Sequence, residues 1–165
     1  MLGMSLSTFT LVHVILSLVG IFTGFIVIFG MLTAKRLNGL TALFLVTTVL
    51  TSVSGFGFPF DHLLPSHKVG IISLVALLIA IIARYAGHLQ GASRWVYVVT
   101  AVLAQYLNVF VLVVQGFLKI PALHAVAPTR TETPFVVAQG VVLLIFVVLG
   151  IYAVKKFHPG SERAA

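Results

Sequence analysis

Cysteine is missing altogether from the 165 residues. Its absence excludes disulfide frameworks, thiolate metal sites, Cys-attached haem and cysteine nucleophiles. Charge is nearly as scarce, with 8% of the chain Asp, Glu, Lys or Arg against roughly 25% in soluble domains. The acids number three, Asp61, Glu132 and Glu162, so no carboxylate pair for acid–base work can sit inside the apolar segments. The GxSxG elbow, the HExxH zinc helix and a phosphate-cradling Gly-rich loop are absent too. These gaps point away from an enzyme.

What the chain has instead is hydrophobicity, 60% by residue with a mean hydropathy of +1.18. So few charges could not cover a soluble core of that share. A soluble enzyme, a disordered tail and a nucleic-acid module are all excluded. The remaining class is an all-α, polytopic helix bundle in a lipid bilayer, one transmembrane domain over residues 1–165. Apolar runs long enough to cross a hydrocarbon layer of about 30 Å fall at about 9–32, 40–60, 69–87, 95–118 and 135–154. Ser5-Leu6-Ser7-Thr8 precedes the first as a helix-start signal. That first run has no basic leader and no small-x-small site after it, so it reads as a span and not as a cleaved signal peptide. The third run is the shortest; were it re-entrant, the count would fall to four. Pro59, Pro65, Pro121, Pro128 and Pro134 sit at or beyond the run ends, where a missing N–H costs little. The stretch from Lys119 to Pro134 reads as an ordered loop or a short surface helix.

Five spans sort the ten basic residues unevenly. One face receives Lys35, Arg36, Arg84, Arg94, Lys155, Lys156 and Arg163, and the other only Lys68, Lys119 and Arg130. The positive-inside rule then puts the first face in the cytoplasm and the amino terminus outside. Arg84, one turn inside its span, is expected to snorkel to the interface. With four spans the basic turns would fall on opposite sides and the bias would fade.

Polar residues inside spans carry the functional signal, because they are costly against lipid. In the fourth span Gln105, Asn108, Gln115 and Lys119 fall within an arc of about 80° on the helical wheel. Tyr106 lies at similar depth. The first span repeats the theme with Thr10, His13 and Ser17 on one face, continued by Gly20 and Gly24 in a GxxxG element. Such a stripe either hydrogen-bonds neighbouring helices or lines a watery cleft. The GxxxG face is expected to pack against Ser52, Ser54, Gly55 and Gly57 of the second span. His13 and Ser17 have the types of a nucleophile pair but no orienting acid in the same span. Imidazoles and carboxylates near the outer face, His13, Asp61, His62, His67, His124 and Glu132, are a candidate metal set. No two of them share a helical turn. A haem b would need a second axial histidine at the depth of His13 on a facing helix, and no other span supplies one. No cofactor is therefore predicted, with haem b or a divalent metal as the alternative.

The runs Ser54-Gly55-Phe56-Gly57-Phe58-Pro59-Phe60, Gln105 to Gln115 and Ala127-Pro128-Thr129 resemble a group of small multi-pass bacterial membrane proteins. The resemblance covers most of the chain. It implies a bacterial inner membrane and carries no activity with it. Three readings stay open. A carrier or channel for a small solute or proton accounts for an outward-opening polar cleft between the first, second and fourth spans. A haem- or metal-binding redox component accounts for the histidines. A non-catalytic subunit, as a homo-oligomer or in a larger membrane complex, accounts for the small size and short loops. The first leads, since three amides on one stripe exceed what packing alone needs.

Overall fold

In a computed structural model the protein is described at Gly3, residues 5–58 and residues 65–159. Its helices are α1 (Leu6–Leu32), α2 (Asn38–Gly55), α3 (Pro65–Ile81, continued by a π-helical turn over Ile82–Ala86), α4 (Ala92–Lys119), α5 (Pro121–Val126) and α6 (Thr133–Lys156). All but α5 are long and apolar enough to cross a membrane. The third run qualifies as well, with 21 residues from Ser66 to Ala86, so the bundle has five spans and not the fallback of four.

Local chemistry sets the ends. Ser5 caps α1, its hydroxyl accepting the Thr8 N–H at 3.2 Å, which starts the helix three residues before the expected Phe9. At its other end Lys35 N–H closes onto Gly30 O at 2.8 Å, while Ala34 and Leu37 take positive φ of 57° and 41°. Gly30 permits this turn because a Cβ there would overlap the Leu37 side chain. The helix then reverses, and α1 and α2 pair antiparallel: His13 meets Ser54, Gly20 meets Thr47 and Thr48, and Gly24 meets Phe44. The GxxxG face does pack within the chain, but on the middle of α2 and on α4 rather than on Ser52–Gly57. Gly55 makes no close approach, since a Cβ there would meet only His13 Cε1 at 4.0 Å. Gly57 lies under the Phe9 ring instead.

α4 is the central helix and packs against α1, α3, α5 and α6. α6 leans on α4 and leaves Val137, Leu144 and Ile151 exposed, as a lipid-facing helix does. The dense core fills one half of the bundle, where α1, α3 and α6 end and α2 and α4 begin. Met31, Phe44, Leu77, Tyr97, Val98 and Phe157 are buried there. Arg94 fastens that end by donating to the carbonyls of Val154 and Phe157, both at 2.8 Å, which satisfies the orphan acceptors of the α6 terminus.

Arg84 departs from the sequence expectation. It does not snorkel outward but turns into the bundle and is buried. Its Nη2 donates to Arg36 O at 3.0 Å and Asn38 Oδ1 at 2.8 Å, and its guanidinium lies 5.0 Å from the Tyr97 ring centroid. The residue sits in the π turn, closed by Gly87 N–H to Ile82 O at 2.9 Å. A π turn shifts the helical phase, and a hydropathy window does not register that shift.

Candidate functional site

The other half of the bundle, where α1 begins and α4 ends, is not filled. α1, α2, α3 and α4 enclose a cavity of about 500 Å³ there, a size within the ~300–1,000 Å³ usual for small-molecule sites. α1 supplies Thr10, His13 and Ser17, α2 supplies Thr51 and Ser52, and α4 supplies Asn108, Gln115 and Lys119. Ile21, Leu107 and Val111 form apolar wall between them.

Each polar wall residue has a definable state. His13 Nδ1 and Ser54 Oγ are 2.8 Å apart, and the imidazole stands edge-on to Phe58. Ser54 commits its one hydroxyl proton to Thr51 O at 3.1 Å, so its oxygen accepts from His13 Nδ1–H. The network thus assigns the Nδ1–H tautomer and leaves Nε2 as the other hydrogen-bonding atom of the ring. Ser17 donates to the backbone carbonyl of His13 at 2.7 Å, not to its ring, so the two do not form a nucleophile–base pair. Asn108 donates to Thr48 Oγ1 at 3.2 Å. The Thr51 hydroxyl is buried with no hydrogen-bond partner among the described residues, an uncommon state for a buried polar atom.

Two residues expected at the cleft, Gln105 of the stripe and Tyr106 beside it, stand elsewhere. Gln105 does not line the cavity. It is fully buried between α4 and α1, donating Nε2 to Ile21 O at 2.7 Å and packing on the bare backbone of Gly24. It lies at one edge of the stripe's arc and deeper, where the two helices cross, so it acts as interhelical glue. Tyr106 faces away from the cavity and packs edge-on against Phe146 of α6, with ring centroids 5.8 Å apart.

α3 supplies a wall of which the sequence marked only His67. Ser66, His67, Gly70 and Ser73 line the cavity, with Ser73 and Ser52 Oγ atoms 3.2 Å apart. Ser66, Gly70 and Ser73, spaced by four and three, share one helical face, with His67 at its edge. That spacing was the available signal. His67 is buried and stacked on Phe56 at 5.3 Å.

Of the candidate metal set, Asp61 and His62 lie outside the described residues. Among the described residues no three His, Asp or Glu side chains form a group that could hold a metal ion. His13 and His67 share the cavity, whereas His124 is exposed on α5. Glu132 is occupied by its own turn, Oε1 accepting from the Thr129 N–H (3.1 Å) and hydroxyl (2.8 Å), and Oε2 from the Thr131 N–H (3.0 Å). Desolvation in the turn works to raise its pKa, but these hydrogen bonds outweigh it and hold the carboxyl at about 2 instead of the ordinary 4.5. The contribution of this turn to stability is therefore full above about pH 4.5 and fades as pH falls toward 2. NMR titration of the side-chain carboxyl should give a midpoint near 2, and Glu132→Gln should remove the acid-induced loosening of the α5–α6 connection. A midpoint at the ordinary carboxylate value would mean that the turn does not hold in solution.

No protein-family model, no curated protein and no solved structure matches the chain.

Proposed function

We propose that the protein is a small membrane carrier for a polar solute, with its cavity opening on the outer side of a bacterial inner membrane. The observation that carries this reading is the polar cavity itself. Serine, threonine, histidine and amide side chains from four helices converge on about 500 Å³ at one end of an otherwise apolar bundle. Polar groups at membrane depth are expensive unless they face water, a ligand or one another. The opposite half is filled by packed side chains, and Gln105 against Gly24 seals the floor. Such a closed floor favours a carrier over an open pore. The excess of basic residues at the filled end supports placing that end in the cytoplasm.

Cysteine accessibility tests this directly, since the chain has no cysteine of its own. Gln115→Cys and Asn108→Cys should react with a small polar thiol reagent applied from the side of the α1 start, position 115 faster than 108. Gln105→Cys, sealed between helices, and Leu144→Cys, on the exposed face of α6, should stay unlabelled because the thiolate does not form there. Silence at both 108 and 115 would sink the carrier reading and favour a packing subunit of a larger assembly. Labelling only from the opposite side would reverse the orientation.

A further inference from the structure

The charge of the cavity wall narrows the class of solute. On α1 the wall carries one titratable group, His13; on α3 it carries His67; on α4 it carries Lys119; and α2 contributes only uncharged residues. No carboxylate stands on the wall among the described residues. The one nearby acid on this end that the structure describes, Glu132, spends both oxygens on its own turn. Lys119 is exposed at the rim, one helical turn beyond Gln115, so an ammonium group stands at the cavity mouth. Lys68, exposed on α3, adds a second at the same end. A low-dielectric cleft lined by one sign of charge concentrates counter-ions and repels ions of its own sign. Among the described residues a cation would meet no carboxylate on the wall.

The wall below the rim is of a different kind. Ile21, Leu107 and Val111 provide apolar surface, and Asn108 adds an amide among them. On the wall itself one ammonium, Lys119, matches one negative charge, and farther in stand hydroxyls, amides and the imidazoles of His13 and His67, with no second ammonium or guanidinium among the described residues. Resting on the carrier reading, we propose that the solute is a small organic monoanion, whose carboxylate is held by Lys119 and Gln115 while its less polar body lies against Val111, one turn deeper on α4. Lysine acts here as a point charge with three donors, and Gln115 adds a directional amide N–H.

The test uses the full chain in membranes carrying Asn108→Cys, and reads the rate of thiol labelling with and without solute. The probes are acetate, lactate, butyrate and benzoate, each beside its primary amide, with butylammonium as the cation. At least one carboxylate should slow labelling while its amide, of nearly equal shape, and butylammonium do not. Lys119→Gln should weaken that protection about tenfold or more, whereas Lys119→Arg should keep most of it, and unprotected labelling should persist in both. Equal protection by an acid and its amide, protection by butylammonium, or no protection by any of the four acids would each overturn the monoanion proposal while leaving the cavity reading in place. Failure of both Asn108→Cys and Gln115→Cys to label at all would instead remove the cavity reading beneath it.

Discussion

Gly24→Val is expected to destabilise the bundle by about 3 kcal/mol, and Gly24→Ala by somewhat less. A Cβ at Gly24 would overlap the Gln105 side chain and come within 2.9 Å of Phe44 Cε2. Gln105 cannot swing aside freely, because it is fully buried and its amide is tied to Ile21 O. Relief requires α1 and α4 to separate, which breaks that hydrogen bond and opens the floor of the cavity. Gly140 provides the contrast, since a Cβ there would meet nothing within 4 Å. Gly140→Ala should therefore stabilise α6 by up to about 1 kcal/mol through backbone entropy alone. Unfolding of the purified variants in a mixed detergent, titrated with denaturing detergent, measures both. Combining Gly24→Ala with Gln105→Ala should recover part of the loss, because the second change empties the space that the first one fills. If Gly24→Ala and Gly140→Ala shift stability alike, the helices do not cross at this point.

This crossing also marks where sequence stopped being informative. Hydropathy and basic residues specify five spans because each reflects one helix against one solvent, the bilayer. The start of α1 was readable for the same reason, since a cap such as Ser5 acts on its own helix. The cavity was half readable. Asn108, Gln115 and Lys119 share a helical face, and His13 and Ser17 another, so their periodicity pointed inward. Gln105 belonged to the same arc, yet what it touches depends on where α1 crosses α4, a property of two helices at once. Tyr106 was readable in hindsight, as one residue past Gln105 it is turned by about 100° to the far side. The α1–α2 register could not be read, because the slide of one apolar helix along another is set by which small residues nest against which side chains. Arg84 failed for a third reason: the π turn changes the phase of the helix that the residue belongs to.

Arg84 then supplies a second large effect. Arg84→Ala is expected to cost about 2–3 kcal/mol, the range for hydrogen bonds made by a charged donor, with a smaller share from the Tyr97 ring. Its Nη2 joins two acceptors in the α1–α2 turn, Arg36 O and Asn38 Oδ1, so one side chain holds that turn against the end of α3. Nη1 has no partner among the described residues, and that desolvation offsets part of the gain. Arg84→Lys should recover little. An ammonium on a flexible stem cannot stack flat on Tyr97 and reach both acceptors together. The decisive measurement is a double-mutant cycle with Asn38→Ala. If the guanidinium clamps the turn, the two losses overlap and the coupling should reach about 1 kcal/mol. Hydrogen exchange at Thr33 to Leu37 should rise in Arg84→Ala while exchange around His13 and Asn108 stays unchanged, since the cavity lies in the other half of the bundle. Strict additivity in the cycle would show that the Asn38 side chain is no part of the clamp, leaving Arg84 to act through Arg36 O and the Tyr97 ring.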